Sequence, residues 1–389
     1  MRTRLYFLTI CAAISVIISP YRSGAQEPGA ANNPIRVRVA VVKGADSAKI
    51  FIAGNFRIID HLSGSTLLEE KYLPETDLVA TGAGFKLGEK EVSGNVISVE
   101  PVGGTRIYIN ERVFRGGIKV IKDEKKLTVI NALDLEEYLY GVMRNEVSTW
   151  WPMEALKAQA IAARTYALNQ VAESRRRDYD VMADVSSQVY GGIFSEKWRT
   201  NRAVDETKGK ILTYKGAIFP AFFHATCGGS TFDAAYLWNI DLPPLKGVKC
   251  RWCGKSPHFY WERWIPVRES EGKLAAAGYP VGDMIGFEAV KRDPFSARIL
   301  ELKVKGSKGD AAILAKDFRR IIGADIVRST NFKVTLVGGY VAFEGLGWGH
   351  GVGLCQWGAY YMSRAGKTAA EILEFYYPGS KITDHKDVK

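Results

Sequence analysis

The sequence predicts an α+β protein with a β-rich N-terminal lobe, residues 35–130, packed on a mixed α/β core, residues 131–389. Residues 35–42, 49–53, 106–109 and 117–121 alternate or run apolar as strands do, and glycine-rich breaks separate them. Residues 152–174 instead combine Ala, Leu, Lys, Gln and Arg, which are strong helix formers. A chain of 389 residues is long enough for both parts to bury a core.

The first 25 residues have the pattern of a secretory signal peptide. Arg2 and Arg4 precede an apolar run over residues 5–18, which is short for a membrane span, and residues 23–25 offer a small-residue cleavage site. Residues 26–34 follow as a flexible leader. We therefore expect an exported protein, in the periplasm, outside the cell or at the cell wall, with no integral membrane segment after cleavage.

The charge of the mature chain suits an acidic partner. Removing the three Arg residues before Gln26 from a formal net charge of +11 leaves +8. An anionic cell-wall polymer or a membrane surface would complement this excess. Nucleic acid is not expected as the partner of an exported protein. General surface solubility explains the same charge equally well.

Glu146 is the first candidate for chemistry. It precedes the strong helix, in a predicted turn that also contains Trp150 and Trp151. Pro152 suits the first helical position, because its missing N–H would have no partner there. A carboxyl group beside aromatic bulk is poorly solvated, which raises its pKa. The alternative from the residues alone is an ordinary solvated turn residue.

Further elements are predicted around this stretch. Asp134 is a suitable N-cap for a short helix over residues 135–143. A hairpin is expected to turn at Lys215 and Gly216, and the structure-poor stretch of about 227–262 is expected to be an irregular, cysteine-rich insertion. Shorter helices are predicted at residues 201–208, 311–321, 359–363 and 369–375.

Residues 347–359 form a second informative stretch, with five glycines around His350. So many glycines indicate an unusual backbone or one that a ligand approaches closely. The run lacks the residues of a Rossmann or P-loop motif, which excludes nucleotide binding. His350 has either a structural role in the loop or a role in a site.

Four cysteines follow the signal segment, and their use is open from the residues. Cys227, Cys250, Cys253 and Cys355 are an even number, which permits two disulfides in an exported protein. The Cys250-x-x-Cys253 spacing is equally typical of half a tetrahedral zinc site, which the other two cysteines would complete.

Several motifs, in this order, resemble the SpoIID/LytB family, the stage II sporulation protein D type. They are the Glu146 stretch at 145–168, Cys-Gly-Gly-Ser-Thr from Cys227, the glycine-rich loop around His350, and Phe-Tyr-Tyr-Pro-Gly from Phe375. Residues 114–117 and 137–142 also match the habit of the family. The resemblance extends over residues 35–382.

The resemblance implies a lytic transglycosylase that acts on peptidoglycan glycan, in sporulation members on strands stripped of stem peptides and beside an amidase. Glu146 would be the catalytic acid. It would protonate the glycosidic oxygen between N-acetylmuramic acid and N-acetylglucosamine, and then accept the proton of the muramyl 6-hydroxyl as that oxygen attacks C1. The family arginine corresponds to Arg164, which would bind the lactyl carboxylate or tie its helix to the next loop. His350, Gln356 and Tyr190 are further candidates for the glycan groove.

This chain departs from the family pattern at two places. Val147 and Ser148 stand where members often have Met-Pro, which changes the turn but keeps the carboxylate. Cys227 and Cys355 stand where many members have Ser, and this favours a structural zinc site of Cys227, Cys250, Cys253 and Cys355 over disulfides. His224 or His258 is the alternative to one of these ligands. No cofactor is expected to be needed for catalysis.

Two other classes of function are compatible with the sequence. The chain could be a non-catalytic wall-binding enhancer of an N-acetylmuramoyl-L-alanine amidase, a role that the family includes. It could also be an exported scaffold that needs only its fold, in which case Glu146→Gln would be silent in cells.

Overall fold

The computed structural model describes residues 35–388, which form one compact unit and confirm the α+β class. The expected signal peptide and leader, residues 1–34, lie outside the described residues. Among the helices in the described part, none combines the length and apolar character that crossing a bilayer requires.

The β-rich N-terminal lobe is confirmed as one sheet, and its ten strands pair antiparallel. Its strands are β1 (Arg36–Ala45), β2 (Ser47–Asp60), β3 (Thr66–Ala80), β4 (Gly84–Leu87), β5 (Lys90–Ser93), β6 (Val96–Pro101), β7 (Arg106–Ile109), β8 (Arg112–Phe114), β9 (Gly117–Asp123) and β10 (Lys126–Asp134). The strand order is β1-β10-β9-β6-β2-β3-β4-β5, with β7 and β8 attached to β2. Alternate residues of β9 and β10 are buried, as the period-two pattern predicts.

The helices that carry the site follow directly. The predicted short helix is α1 (Leu135–Glu146), which Asp134 caps through the backbone N–H of Glu136 at 2.8 Å. The predicted long helix is α2 (Met153–Glu173), and Pro152 stands one position before it, as N-cap. Strand β11 (Val181–Met182) then pairs with β1 in parallel. One apolar core joins the lobe sheet to α1 and α2.

The remaining core elements surround α2. They are α3 (Trp198–Glu206), the hairpin β12 (Lys210–Tyr214) and β13 (Ala217–Ile218), β14 (Phe223–His224), α4 (Ala235–Trp238), β21 (Leu354–Cys355), α7 (Gln356–Arg364), α8 (Ala369–Tyr376) and β22 (Lys381–Asp384). The hairpin turn at Lys215 and Gly216 is confirmed. Strand β14 pairs with β21 in parallel, so the Cys227 segment and the Cys355 segment lie side by side.

Residues 260–346 form an inserted subdomain with its own apolar core. Its elements are β15 (Tyr260–Pro266), α5 (Val267–Ala276), β16 (Met284–Arg292), β17 (Ile299–Gly306), β18 (Ala311–Leu314), α6 (Ala315–Ile322), β19 (Phe332–Val337) and β20 (Tyr340–Leu346). The prediction of one helix over residues 311–321 is wrong in its first part, because residues 311–314 pair with β17 as a strand.

Candidate active site and cysteine cluster

Glu146 is the last residue of α1. The prediction that it lies in the turn before α2 is therefore wrong, because α1 extends further than expected. The apolar face of α1, including Tyr138, Leu139 and Val142, packs into the core and fixes the C-terminal end of the helix. The Glu146 carboxylate oxygen Oε1 accepts a hydrogen bond from the backbone N–H of Val189 at 3.0 Å. The segment after β11 therefore orients this carboxylate.

Burial raises the pKa of Glu146 above its usual value. The Val189 N–H and the Gln356 side chain oppose this rise, because both stabilise the charged form. A carboxyl group that is partly desolvated yet hydrogen-bonded can hold a proton at higher pH than a solvated one and can still lose it. This is the property that a single acid and base requires.

Gln356 and Glu146 are brought together, as the sequence-based assignment of both residues to one groove requires. Gln356 is the first residue of α7, and its Nε2 reaches Gln159 Oε1 on α2 at 3.5 Å. Gln159 is 1% exposed, and its own Nε2 has no hydrogen-bond partner in the described part of the chain. Gln356 thus contacts α2 and also lies near enough to Glu146 to stabilise its charged form.

Two polar residues of α2, Gln159 and Tyr166, were not predicted from the sequence as candidates for the site. They are seven residues apart on α2, which places them on one face of that helix. Burial raises the pKa of Tyr166, and the nearby charges of Glu173 and Glu146 add to the rise. The helical spacing of two polar side chains in an Ala-rich helix was the signal that could have identified them.

Aromatic side chains cluster where the turn after α1 meets α7. Trp151 is buried, and its ring lies 5.2 Å from the rings of both Trp357 and Tyr360 on α7. Trp150, by contrast, is 80% exposed, so it does not crowd Glu146 as the sequence suggested. Aromatic faces suit a carbohydrate ligand, which presents apolar C–H surfaces.

Arg164 is fully buried, and its guanidinium is occupied by the protein. Its Nε and Nη2 donate to the two carboxylate oxygens of Glu136 at 2.9 and 2.6 Å. The remaining donors reach the carbonyl oxygens of Val204 and Lys210 and the hydroxyl of Thr207. All five N–H groups have acceptors. The geometry therefore favours the role that ties α2 to α1, α3 and β12 over binding of the lactyl carboxylate.

Tyr190 is a core residue in this structure rather than part of a groove wall. It is 2% exposed, and its ring lies 5.3 Å from Tyr138 and 5.9 Å from Phe114. Its hydroxyl donates to Asn131 Oδ1 at 2.9 Å. These contacts leave no face of the side chain for a ligand.

His350 is held by the protein backbone on both ring nitrogens. Its Nδ1 accepts from the Val352 N–H at 3.1 Å, so Nε2 carries the proton and donates to the Phe223 carbonyl at 2.8 Å. Burial lowers the pKa of His350 to about 3, which keeps the ring neutral. The geometry favours the structural reading, in which His350 fastens the glycine-rich loop to β14.

The glycines of this loop allow close approach of protein rather than of a ligand. A Cβ on Gly351 would lie 2.6 Å from the guanidinium carbon of Arg298, and one on Gly353 would lie 2.1 Å from the Phe222 carbonyl oxygen. Both residues have positive φ, at 89° and 69°. Glycine is therefore required here on two counts.

Cys227, Cys250, Cys253 and Cys355 converge in the core. All four thiols are free and buried, and their sulfur atoms lie within 4.8 Å of one another. The Cys355 sulfur also accepts from the backbone N–H groups of Cys227 at 3.3 Å and Gly358 at 3.4 Å. His224 and His258 are not members of this cluster. A cavity of about 870 Å³ opens beside Cys250, and Glu146 does not line it.

Comparisons with known proteins agree with these motifs. A family model described as stage II sporulation protein matches residues 123–214, and a model for a domain of unknown function, DUF8618, matches residues 254–353. The second match contains the inserted subdomain. The match to the stage II sporulation protein model covers α1, α2 and α3, and it includes Glu146.

Curated relatives match over longer stretches. An uncharacterized protein of Brachyspira hyodysenteriae is 32% identical over 92% of this chain and 94% of its own length. Stage II sporulation protein D of Bacillus amyloliquefaciens is 33% identical over 66% of this chain and 76% of its own length. The amidase enhancer of Bacillus subtilis is 28% identical over 64% of this chain, but over 40% of its own length. The chain belongs to the SpoIID/LytB family.

Proposed function

We propose that the protein acts in the cell wall as a peptidoglycan lytic transglycosylase with Glu146 as its single acid and base. The main support is the environment of this carboxyl group: it is half-buried, its pKa is raised, and Gln356 and the Val189 N–H are directed towards it. Ordinary glycosidases need a second carboxylate. Among the described residues, no second carboxyl group acts on the pKa of Glu146.

The proposed reaction uses Glu146 twice. The protonated carboxyl donates its proton to the glycosidic oxygen between N-acetylmuramic acid and N-acetylglucosamine, and the C1–O bond breaks with the electron pair leaving on that oxygen. The carboxylate then takes the proton of the muramyl 6-hydroxyl, whose oxygen bonds to C1. The products are a free N-acetylglucosamine 4-hydroxyl and a 1,6-anhydro end, and the acid is restored. No water is consumed.

The test is digestion of purified glycan strands from which an amidase has removed the stem peptides. We expect 1,6-anhydro ends by mass spectrometry with the wild-type protein, and a loss of at least about 100-fold with Glu146→Gln, the scale of general acid catalysis. Glu173→Gln, at the exposed end of α2, is the matched control. Anhydro ends at the wild-type rate from Glu146→Gln would exclude the mechanism.

We propose that this reaction takes place outside the cytoplasmic membrane, since peptidoglycan is there. The signal-peptide pattern of residues 1–25 supports export. N-terminal sequencing of the protein isolated from the cell envelope or medium is expected to begin at Gln26. A mature chain that begins at Met1 and stays in the cytoplasm would contradict this.

We also propose that the four-cysteine cluster holds a structural zinc ion. Tetrahedral zinc bonded to sulfur at about 2.3 Å places its ligand atoms about 3.8 Å apart, within the spread of the four sulfur atoms. Cys227 and Cys253 have sulfurs 3.3 Å apart, well beyond a disulfide bond of about 2.04 Å. The N–H groups of Cys227 and Gly358 suit a thiolate on Cys355. Four thiolates leave no open position, so the metal would serve the fold.

The zinc proposal has a direct chemical test. We expect one zinc ion per chain by elemental analysis, and four titratable thiols after chelation under denaturing conditions. Cys250→Ser is expected to lower both the zinc content and the thermal midpoint. Four thiols without metal, or none without reductant, would contradict the proposal.

A second function is favoured by the similarity to the amidase enhancer. In that case the protein would bind wall glycan and stimulate an N-acetylmuramoyl-L-alanine amidase without cleaving it. Release of stem peptides by a purified amidase, with and without this protein, separates the two. Stimulation that Glu146→Gln retains, together with no anhydro ends from the wild type, would establish the enhancer function instead.

A further inference from the structure

A chain of ring contacts leads from the active site to the inserted subdomain. Trp357 follows Gln356 in α7, and its ring lies 6.1 Å from the ring of His258. The His258 ring in turn lies 4.7 Å from Trp348 in the glycine-rich loop. All three side chains are half-buried, so each retains a solvent-facing part. This surface starts next to the group that positions Glu146.

Arg328 of the inserted subdomain stands at the far end of this surface. Its guanidinium carbon lies 4.5 Å from the centre of the Trp348 ring, a cation–π distance. The backbone at both residues is fixed, because the Arg328 carbonyl accepts from the Gly349 N–H at 2.9 Å and Trp348 exchanges two backbone hydrogen bonds with Thr226. The backbone segments that carry the cation and the ring are therefore fixed relative to each other.

The Arg328 guanidinium differs from that of Arg164 in having no protein acceptor. Over residues 35–388, no carboxylate lies within ion-pair distance of Arg328, and its Nε is buried without a hydrogen-bond partner. Arg263 and Asp325 both lie near enough to act on its charge, and the effect of Arg263 is the larger of the two. A positioned guanidinium with free donors is a receptor for a planar anion.

We propose that Arg328 on Trp348 forms a subsite that binds the free lactyl carboxylate of an N-acetylmuramic acid residue. The inference rests on the proposed function, since it places this residue in the strand that Glu146 cleaves. The carboxylate is free only where the stem peptide has been removed, because the peptide is attached through an amide at that carbon. The subsite would therefore make the inserted subdomain the part of the chain that recognises stripped glycan.

The experiment compares two probes on the full mature protein carrying Glu146→Gln, which prevents cleavage during binding. One probe is peptide-free glycan with its lactyl carboxylates intact. The other is the same glycan after those carboxylates have been converted to methylamides, which removes the charge and adds little bulk. We expect the charged glycan to bind about tenfold more tightly, a loss of about tenfold with Arg328→Met on the charged probe, and no change on the amidated probe.

Matched variants keep the test interpretable. Arg320→Met removes an exposed arginine of α6 that pairs with Asp317, and is expected to leave both affinities unchanged. Arg328→Lys keeps the charge without the fork and is expected to retain part of the preference. If Arg328→Met lowers the thermal midpoint, the test is made with Arg328→Lys and with the ratio of the affinities for the two probes, which partial unfolding does not change.

Two outcomes would overturn the subsite. One is equal binding of the charged glycan by Arg328→Met and Arg320→Met. The other is a loss with Arg328→Met that is confined to a purified polyol-phosphate wall polymer, which would make the ligand a phosphate. A failure of the proposed function is distinguishable: the wild type would yield no anhydro ends, while Arg328 would still set the preference for the charged probe.

Discussion

The backbone N–H of Val189 donates to the carboxylate of Glu146 at 3.0 Å, yet burial still raises the pKa of that carboxyl group. Desolvation therefore outweighs the hydrogen bonds that stabilise the charged form. The last turn of α1 and the segment after β11 hold this balance in place. The consequence is a carboxyl group that costs stability when ionised and is suited to proton transfer.

Stability is accordingly expected to depend on pH through Glu146. A folded-state pKa above the unfolded value means that the contribution to stability is present below the unfolded pKa and is lost as pH rises through the folded pKa. Glu146→Gln keeps the oxygen that Val189 contacts and never ionises. Its free energy of unfolding should match that of the wild type in acid and exceed it at neutral and alkaline pH. Denaturant unfolding across this range, with Glu173→Gln as control, measures the difference, and a constant difference would contradict the pKa assignment.

Gln356 is expected to set the upper pH limit of activity. Its side chain lowers the pKa of Glu146, so Gln356→Ala should raise that pKa and keep the acid protonated to higher pH. The alkaline limb of the kcat profile on peptide-free glycan should move up, while kcat at its optimum falls about tenfold, or about 1.4 kcal/mol, because the acid loses its orientation. Gln170→Ala on α2 is the control. A lower kcat with an unmoved limb would assign Gln356 to substrate binding only.

Arg164 is expected to matter for the fold. Removing it leaves the Glu136 carboxylate without its cation and takes one donor each from the Val204 and Lys210 carbonyl oxygens, and breaking a buried pair costs about 3–5 kcal/mol. Arg164→Met should therefore shift the denaturant midpoint strongly, and Glu136→Gln in the same chain should recover part of the loss. A folded Arg164→Met protein with unchanged stability and a raised KM for charged glycan would instead establish a role in substrate binding.

The sequence predicted the secondary-structure elements and the motifs correctly more often than it predicted which side chains are buried and which face a site. Period-two patterns located the lobe strands, and the Asp134 cap located α1, because both signals are local. Glu146, Gln356 and the cysteine cluster could be grouped from motifs in series. The burial of Arg164, Tyr190 and His350 could not, since it depends on Glu136, Asn131 and Phe223, which are distant in sequence. The sequence could not identify Arg328 either, because its proposed role depends on the absence of a protein partner for its guanidinium.

Arg298 of the inserted subdomain is fully buried, and its Nη2 donates to the Cys227 carbonyl at 2.8 Å. Its Nε and Nη1 have no hydrogen-bond partner, and the buried Asp293 carboxylate acts on its charge only from beyond ion-pair distance, as no carboxylate among residues 35–388 forms an ion pair with it. A buried cation needs a nearby anion. Four thiolates on one zinc ion carry a net charge of −2, which would supply it.

Arg298→Met is therefore expected to weaken the proposed zinc site. With the cation gone, the doubly negative centre loses its counter-charge, and transfer of zinc to a chelator should become about tenfold faster. Arg292→Met is the matched control, because Arg292 is exposed and bonds only the Ala297 and Phe332 carbonyls. Substitution with Co²⁺ gives a second reading, since its sulfur-to-metal absorption should shift in Arg298→Met and not in Arg292→Met. Equal zinc-release rates in the two variants, with only Arg298→Met less stable, would reduce Arg298 to a packing residue between the inserted subdomain and the core.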